Sequence, residues 1–440
     1  MQIFRLSSLA FVAVTACTAA QAGNSGQSKE RAAVVIDAPA CARNDGGLRL
    51  PPGFCATIFA DSIGSARHLV VAPNGDVFVN LQKAQHGPVA SIPAGIVGLR
   101  DTNGDGRADV IERFGSGGNT GIAFHDGYLY ADVGTSIVRY PIPSGQLRPS
   151  GPADTVVTGM PGQPGHASRN FVITPNGTMY VNFGSPSNAC QLKDRAEGSP
   201  GKENCPELET RAGIWKFDAN GHSQRPSLES RYATGLRNSV ALTLDPSGTR
   251  LYAVPNGRDQ LSGNWPSLFT PQQSADLPGE VFVEVNARDD YGWPFCYYDG
   301  LVHEYRLAPE YGGDGKSVGR CSTLKQPIYS FPAHWAPLAV QFYSGKNFPS
   351  RYRNGVFVAF HGSWNRDPLP QAGYNVVFLP MPNGHAQEQF EFFAEGFTTP
   401  NPARNTAAHR PVGLAVAPDG ALYISDDVGG RIYRVTWSGT

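Results

Sequence analysis

A strand–turn–strand unit recurs along the chain, and this recurrence restricts the fold more than any other feature. Residues 67–79, RHLVVAPNGDVFV, and residues 169–181, RNFVITPNGTMYV, align without a gap around an identical Pro-Asn-Gly. Looser copies are Asp245-Pro246-Ser247-Gly248 before Leu251-Tyr252, Arg353-Asn354-Gly355 before Val356-Phe357-Val358, Pro418-Asp419-Gly420 before Leu422-Tyr423-Ile424, and His125-Asp126-Gly127 before Tyr128-Leu129-Tyr130. Each copy joins an apolar β run to a second strand of aromatic and β-branched residues, through a turn whose glycine takes a dihedral that other residues avoid. The glycines at 75, 127, 177, 248, 355 and 420 are spaced as four-stranded blades would be, with insertions between the later copies. The reading is an all-β, six-bladed β-propeller with disulfide-closed loop insertions, spanning 48–440. Unrelated hairpins in two β-sandwiches are the competing arrangement.

Composition agrees with strands rather than helices. The 51 glycines and 36 prolines rule out a helical bundle, because both residues break helices. A net charge of −1 gives no footprint for nucleic acid or an anionic membrane. Residues 1–22 read as a secretory signal peptide, with Arg5, an apolar run from Leu9 to Val14, and Ala20-Gln21-Ala22 before the cleavage point. Val14-Thr15-Ala16-Cys17 also resembles a bacterial lipobox, which would leave a lipidated Cys17 anchoring the protein to the outer membrane. Residues 23–47 are then an N-terminal extension. Export to the periplasm or beyond makes disulfides the default state of the other six cysteines, and proximity pairs Cys41 with Cys55, Cys190 with Cys205, and Cys296 with Cys321. No segment is long and apolar enough to span a membrane as a helix.

In a propeller the first strand of each blade lines the central channel, so equivalent positions converge at one mouth. Arg67 and Arg169 stand six residues before their turn prolines, Arg410 eight before Pro418, and Arg237 nine before Pro246. Guanidiniums ringing one opening repel one another unless an anion sits among them, and their planar fork matches carboxylates. A polycarboxylate ligand follows; the alternative is a set of strand-end arginines in separate ion pairs. His166, three residues before Arg169, reaches the same rim as a candidate general base, since an imidazole suits removal of a hydroxyl proton near neutral pH. His361 and His334 are lesser candidates of the same kind.

Gly235-Leu236-Arg237-Asn238, Asn256-Gly257-Arg258-Asp259 and Tyr291-Gly292-Trp293-Pro294 resemble motifs of the glucose/sorbosone dehydrogenase family, six-bladed propellers that use pyrroloquinoline quinone (PQQ). His361-Gly362-Ser363-Trp364-Asn365-Arg366 and the Arg410 blade are more similar to the sorbosone and pyranose dehydrogenase branch. The resemblance implies an exported PQQ-dependent dehydrogenase of aldoses or aldehyde sugars. His166 would take the substrate hydroxyl proton as hydride passes to the quinone, and Arg237 would polarise the quinone oxygen. Arg67, Arg169, Arg237, Asn238, His361, Trp364 and Arg410 would hold the tricarboxylate cofactor. Ca2+ would be held by the carbonyls of Gly257 and Arg258 and the side chain of Asn256. Electrons would leave to an external cytochrome, quinone or dye.

Asp101-Thr102-Asn103-Gly104-Asp105-Gly106, with Glu112 at the twelfth position, satisfies the oxygen pattern of an EF-hand loop. Its flanks lack helical periodicity, so a polar turn between two blade strands is the other reading. A calcium-dependent lactonase or esterase propeller and a non-catalytic cell-surface binding propeller remain as rival functions. The first would place Asp, Glu and Asn on the inner strands, where this chain has arginines.

Overall fold

The computed structural model describes residues 44–439, which form six four-stranded antiparallel sheets and a two-stranded one, Cys296–Asp299 with Glu304–Leu307. Blades 1 to 5 each use four strands in chain order, starting from the inner strands Ser65–Val71, Gly118–His125, Phe171–Ile173, Ala241–Leu244 and Pro337–Phe342. Blade 6 begins with Pro411–Val416 and continues through Leu422–Asp426 and Arg431–Trp437. Its outermost strand is Phe54–Ala60 from the start of the chain, paired from Phe54 opposite Trp437 to Ala60 opposite Ile432. The inner strands neighbour one another in sequence and close into a ring. All six line a cavity of about 320 Å3 along the axis. This is the six-bladed propeller read from the repeat.

Five of the six turn glycines hold a φ between +71° and +92°, as the hairpin reading requires. Gly355 does not. The link from Phe342 to Gly355 is longer and includes a 3-10 turn at Ser350–Arg353, and Gly355 opens the second strand. Its glycine is needed for close approach, since a Cβ there would lie 2.4 Å from the carbonyl oxygen of Leu379.

Between the blades, aromatic and aliphatic side chains pack as continuous clusters. Phe54, Phe348, Tyr352, Phe357, Phe378 and Phe393 join blades 5 and 6 with ring centroids about 5 to 6 Å apart. Polar latches add direction to this apolar packing. The residue five positions after the turn glycine is buried and polar in four blades: Asn80, Asp132, Asn182 and Ser425. Asn80 donates to Gly121 O at 2.9 Å, Asp132 accepts from Arg169, Asn182 accepts from Ser239 N at 2.9 Å, and Ser425 donates to Arg67 O. Each bond crosses to the next blade. Asn256, donating to Pro337 O at 2.9 Å, and Arg410, donating to His361 O at 2.7 Å, close the two remaining junctions.

The Cys190–Cys205 bridge closes a loop between the second and third strands of blade 3, and Cys296–Cys321 closes one between the third and fourth strands of blade 4. Cys41, the expected partner of Cys55, lies outside the described residues, as do Cys17 and the leader. Among the described residues no helix is long and apolar enough to cross a membrane. The Asp101–Asp109 segment is the turn between Gly95–Arg100 and Val110–Phe114. Asp101 accepts from Gly104 N and Gly106 N of its own loop at 2.7 and 2.8 Å, and Glu112 sits in the following strand, paired with Arg148.

Candidate active site

At the end of the channel where the inner strands begin, the hydrogen bonds close a circuit around the mouth. Arg67 lies inside the first inner strand, Arg169 and Arg237 lie a few residues ahead of theirs, and Arg410 immediately precedes Pro411. Arg67 donates to Asp427 at 2.6 Å and to Thr120 at 3.3 Å. Beside Thr120, Asn119 donates to Asp132 at 2.8 Å and to Ala167 O at 3.1 Å. Arg169 donates from Nε to Asp132 at 3.2 Å, and its other two nitrogens donate to the carbonyls of Pro161 and Gly134. Ser185, which holds His166, donates its N–H to Arg237 O at 2.7 Å. Arg237 reaches Asp259 at 2.9 Å, and Asn365 donates to the other oxygen of Asp259 at 2.8 Å. Four residues earlier in the chain, His361 Nε2 donates to Asp427 at 2.9 Å, returning to Arg67. Arg410 donates to the carbonyls of His361 and Gly362 at 2.7 and 2.6 Å.

His166 Nδ1 lies 2.8 Å from Ser185 O. A carbonyl oxygen only accepts, so Nδ1 carries the proton and Nε2 keeps its lone pair. Among the described residues Nε2 has no protein partner. Burial and the nearby Arg237 hold its pKa down to about 3, so the imidazole is neutral at pH 7. This is the protonation state that a base requires.

The segment assigned to calcium is tied into the same circuit. Gly257 O accepts from Arg237 at 2.7 Å, Gly257 N donates to Glu280 at 2.8 Å, and Asn256 donates to Asn238 O at 3.3 Å and to Pro337 O. The Arg258 side chain points away into a buried pair with Glu310, which also accepts from Trp265 at 2.8 Å. Asn238 lies against Asn182 at 3.5 Å. Trp364, partly exposed at the rim, has the Arg404 guanidinium 4.9 Å and that of Arg195 6.0 Å from its ring. His334 is buried, donating to Ser274 O at 2.8 Å, with its other nitrogen facing Asn365 at 3.3 Å.

The expectation that the arginines must repel one another until a ligand arrives is corrected here: Asp132, Asp259 and Asp427 already stand between them. Burial alone would raise all three carboxyls. Arg237 and Arg195 outweigh it at Asp259, which falls to about 2, and His361 and Arg67 hold Asp427 well below the usual carboxylate range. At Asp132 burial wins, raising it to about 6 against the pull of Arg169. Burial lifts Glu280 to about 8, so it is mostly protonated at neutral pH. Sequence reasoning passed over these acids. Asp259 stood in a motif assigned to metal, and Asp427 follows a strand end with no counterpart in the other copies. Asp132 could have been found, because it shares the five-residue offset with Asn80 and Asn182.

The donor set fits a tricarboxylate. Arg67, Arg169 and Arg237 each pair with one carboxylate, on Asp427, Asp132 and Asp259, Arg195 reaches both Asp194 and Asp259, and the Arg410 guanidinium donates to carbonyl oxygens. Planar forks gathered at one rim suit the carboxylates of an anionic guest.

Two solved structures share the fold. The calcium structure of a Trichoderma reesei protein of carbohydrate-active enzyme family AA12 has a TM-score of 0.71 at 19% identity, covering 89% of this chain and 97% of that one. The holo form of the pyranose dehydrogenase PQQ domain from Coprinopsis cinerea has a TM-score of 0.70 at 20% identity, covering 91% and 99%. In sequence, the PQQ-dependent pyranose dehydrogenase of Coprinopsis cinerea is 26% identical over 275 residues, 54% of this chain and 36% of that protein. A Borreliella burgdorferi protein described as uncharacterized is 31% identical over 208 residues, 47% of this chain and 48% of its own. The chain thus matches less than half the length of these curated relatives. The family model described as TrAA12-like matches residues 48–438, nearly the whole described region, and the chain belongs to that family.

Proposed function

We propose that this chain is a PQQ-dependent dehydrogenase of sugars, acting on an aldose or aldehyde sugar after export. The observation that carries the reading is a neutral His166, with no protein partner on Nε2 among the described residues, at a mouth where Arg67, Arg169, Arg237 and Arg410 gather. PQQ, when bound, supplies the quinone that accepts hydride from the sugar carbon. The chain supplies the rest. His166 Nε2 takes the proton of the hydroxyl being oxidised while Nδ1 keeps its own proton and donates it to Ser185 O, which fixes the lone pair in one direction. Arg67, Arg169 and Arg410 clamp carboxylates, and Arg237, held rigidly by Asn188 and Asp259, presents a fixed positive charge beside His166. Asn238, His361 and Trp364 complete the wall.

Ca2+ at Asn256, Gly257 and Arg258 belongs to the same proposal with one condition. Gly257 O already accepts from Arg237, so a cation there must use the second lone pair of that oxygen, close to a guanidinium. The leader over 1–22, the extension over 23–47, lipidation at Cys17 and delivery of electrons to a cytochrome, quinone or dye are further parts of the proposal.

The test is reconstitution: purified protein with PQQ, with and without Ca2+, followed by quinone absorbance and dye reduction across a panel of aldoses. Bound quinone with sugar-dependent reduction supports the reading. Absence of quinone binding, with lactone hydrolysis in Ca2+ or with neither activity, overturns it in favour of a lactonase or a binding propeller.

A further inference from the structure

Arg211 is a buried guanidinium with no carboxylate in hydrogen-bond reach. It is 7% exposed, and its three nitrogens each donate to a different backbone carbonyl: Nε to Gly184 O at 2.5 Å, Nη1 to Gly162 O at 3.0 Å and Nη2 to Pro164 O at 3.2 Å. Glu207, the acid whose charge acts on it, is spent on Lys202 and Ser187 at 2.9 and 2.6 Å. These carbonyls are not scattered. Gly162 and Pro164 belong to the loop that delivers His166, and Gly184 precedes Ser185, whose carbonyl accepts the His166 Nδ1 proton and backbone N–H.

The two segments also press on the histidine. A Cβ at Gly184 would lie 2.6 Å from the His166 Cβ, and a Cβ at Gly165 would lie 2.4 Å from Pro186 Cα. His166 therefore occupies a slot between two strips of backbone, and a fork of donors from a third element ties those strips together. Arg211 comes from the segment that follows the Cys190–Cys205 bridge and the 3-10 turn Pro206–Glu209, just ahead of the Gly213–Asp218 strand.

We infer that Arg211 is a positioning residue for His166: it fixes the separation of the 162–166 loop and the Gly184–Ser185 strip, and so the tautomer and aim of the imidazole. Its rigid planar fork fixes the directions of the three donated bonds, whereas a lysine ammonium is a compact point charge with rotatable donors. The inference deepens the function proposed above and rests on His166 as the base.

The experiment uses the full chain with histidine-selective 15N labelling, the His166 signals being assigned by their loss in His166→Ala. In the wild type the cofactor-free protein shows a single tautomer protonated at Nδ1. In Arg211→Ala the same signals move toward tautomer averaging. After reconstitution with PQQ, kcat falls about 100-fold, the cost of a misplaced reacting group, while KM and quinone Kd stay within about twofold. Arg211→Lys, which keeps the charge and loses the fork, falls between the two and serves as the test if Arg211→Ala does not accumulate folded. Near-wild-type kcat in a folded variant, or a large loss with the His166 tautomer unchanged, overturns the inference. Should the wild type itself show no dehydrogenase turnover, the proposed function fails, and the tautomer comparison on the cofactor-free chain still decides the role of Arg211.

Discussion

At the scale of single residues, the mouth works because each cation is held before any ligand arrives. His166→Ala removes the proposed base and leaves the proposed guanidinium clamps, so quinone affinity should persist while turnover falls by about two to four orders of magnitude; equal turnover with and without the imidazole would remove His166 from the chemistry. Asp427 pairs with Arg67 at 2.6 Å and His361 at 2.9 Å, and its side chain is 13% exposed. Asp427→Ala strands a buried cation and should cost about 3–5 kcal/mol in urea unfolding of the cofactor-free protein. A cost below about 1 kcal/mol would mean that Arg67 finds another partner. The arginines were legible because a repeat places equivalent residues at one rim. Their carboxylates were not, because Asp259 and Asp427 come from irregular segments brought together by ring closure. Arg211 was illegible for another reason: its acceptors are backbone, which no side-chain pattern reveals.

At the scale of elements, the junctions between blades combine an apolar seam with one directed polar bond. Asn182 accepts the Ser239 N–H at 2.9 Å in a fully buried seam. Asn182→Ala leaves that N–H without an acceptor and should cost about 1–3 kcal/mol, whereas Asn182→Asp keeps the acceptor and should recover part of the loss. An equal loss in both variants would assign the effect to side-chain volume instead. The hairpins were readable from the sequence because the turn needs a left-handed glycine and the flanking strands alternate. Gly355 was read for the wrong reason, since its strand is entered from a 3-10 turn and a crowded backbone, not a tight hairpin. The EF-hand pattern shows the same ambiguity, for the oxygens that would bind a cation also satisfy the N–H groups of a turn.

At the scale of the whole molecule, the buried histidines tie stability to pH. His68, donating to Leu338 O at 2.8 Å beside the axis, is held to about 4 by burial and by Arg67, and burial with Arg410 does the same at His361. Unfolded, each titrates near ~6.5. Between about 4 and 6.5 the unfolded chain binds protons that the folded one refuses, so these groups make stability rise with pH and fall on acidification. Asp132 and Glu280, raised to about 6 and about 8, act in the opposite direction. His68→Gln should lower the slope of unfolding free energy against pH in that window by up to ~1.4 kcal/mol per unit; an unaltered slope would mean that His68 is protonated in the fold. The ring itself was legible from the number of copies. Its closure was not, because Phe54–Ala60 belongs to no repeat and pairs only with the far end of the chain. That closure has a consequence for biosynthesis. Until a ribosome has made Arg431–Trp437, the Phe54–Ala60 strand has no mate, so the nascent polypeptide stays open and finishes this architecture only after that segment emerges.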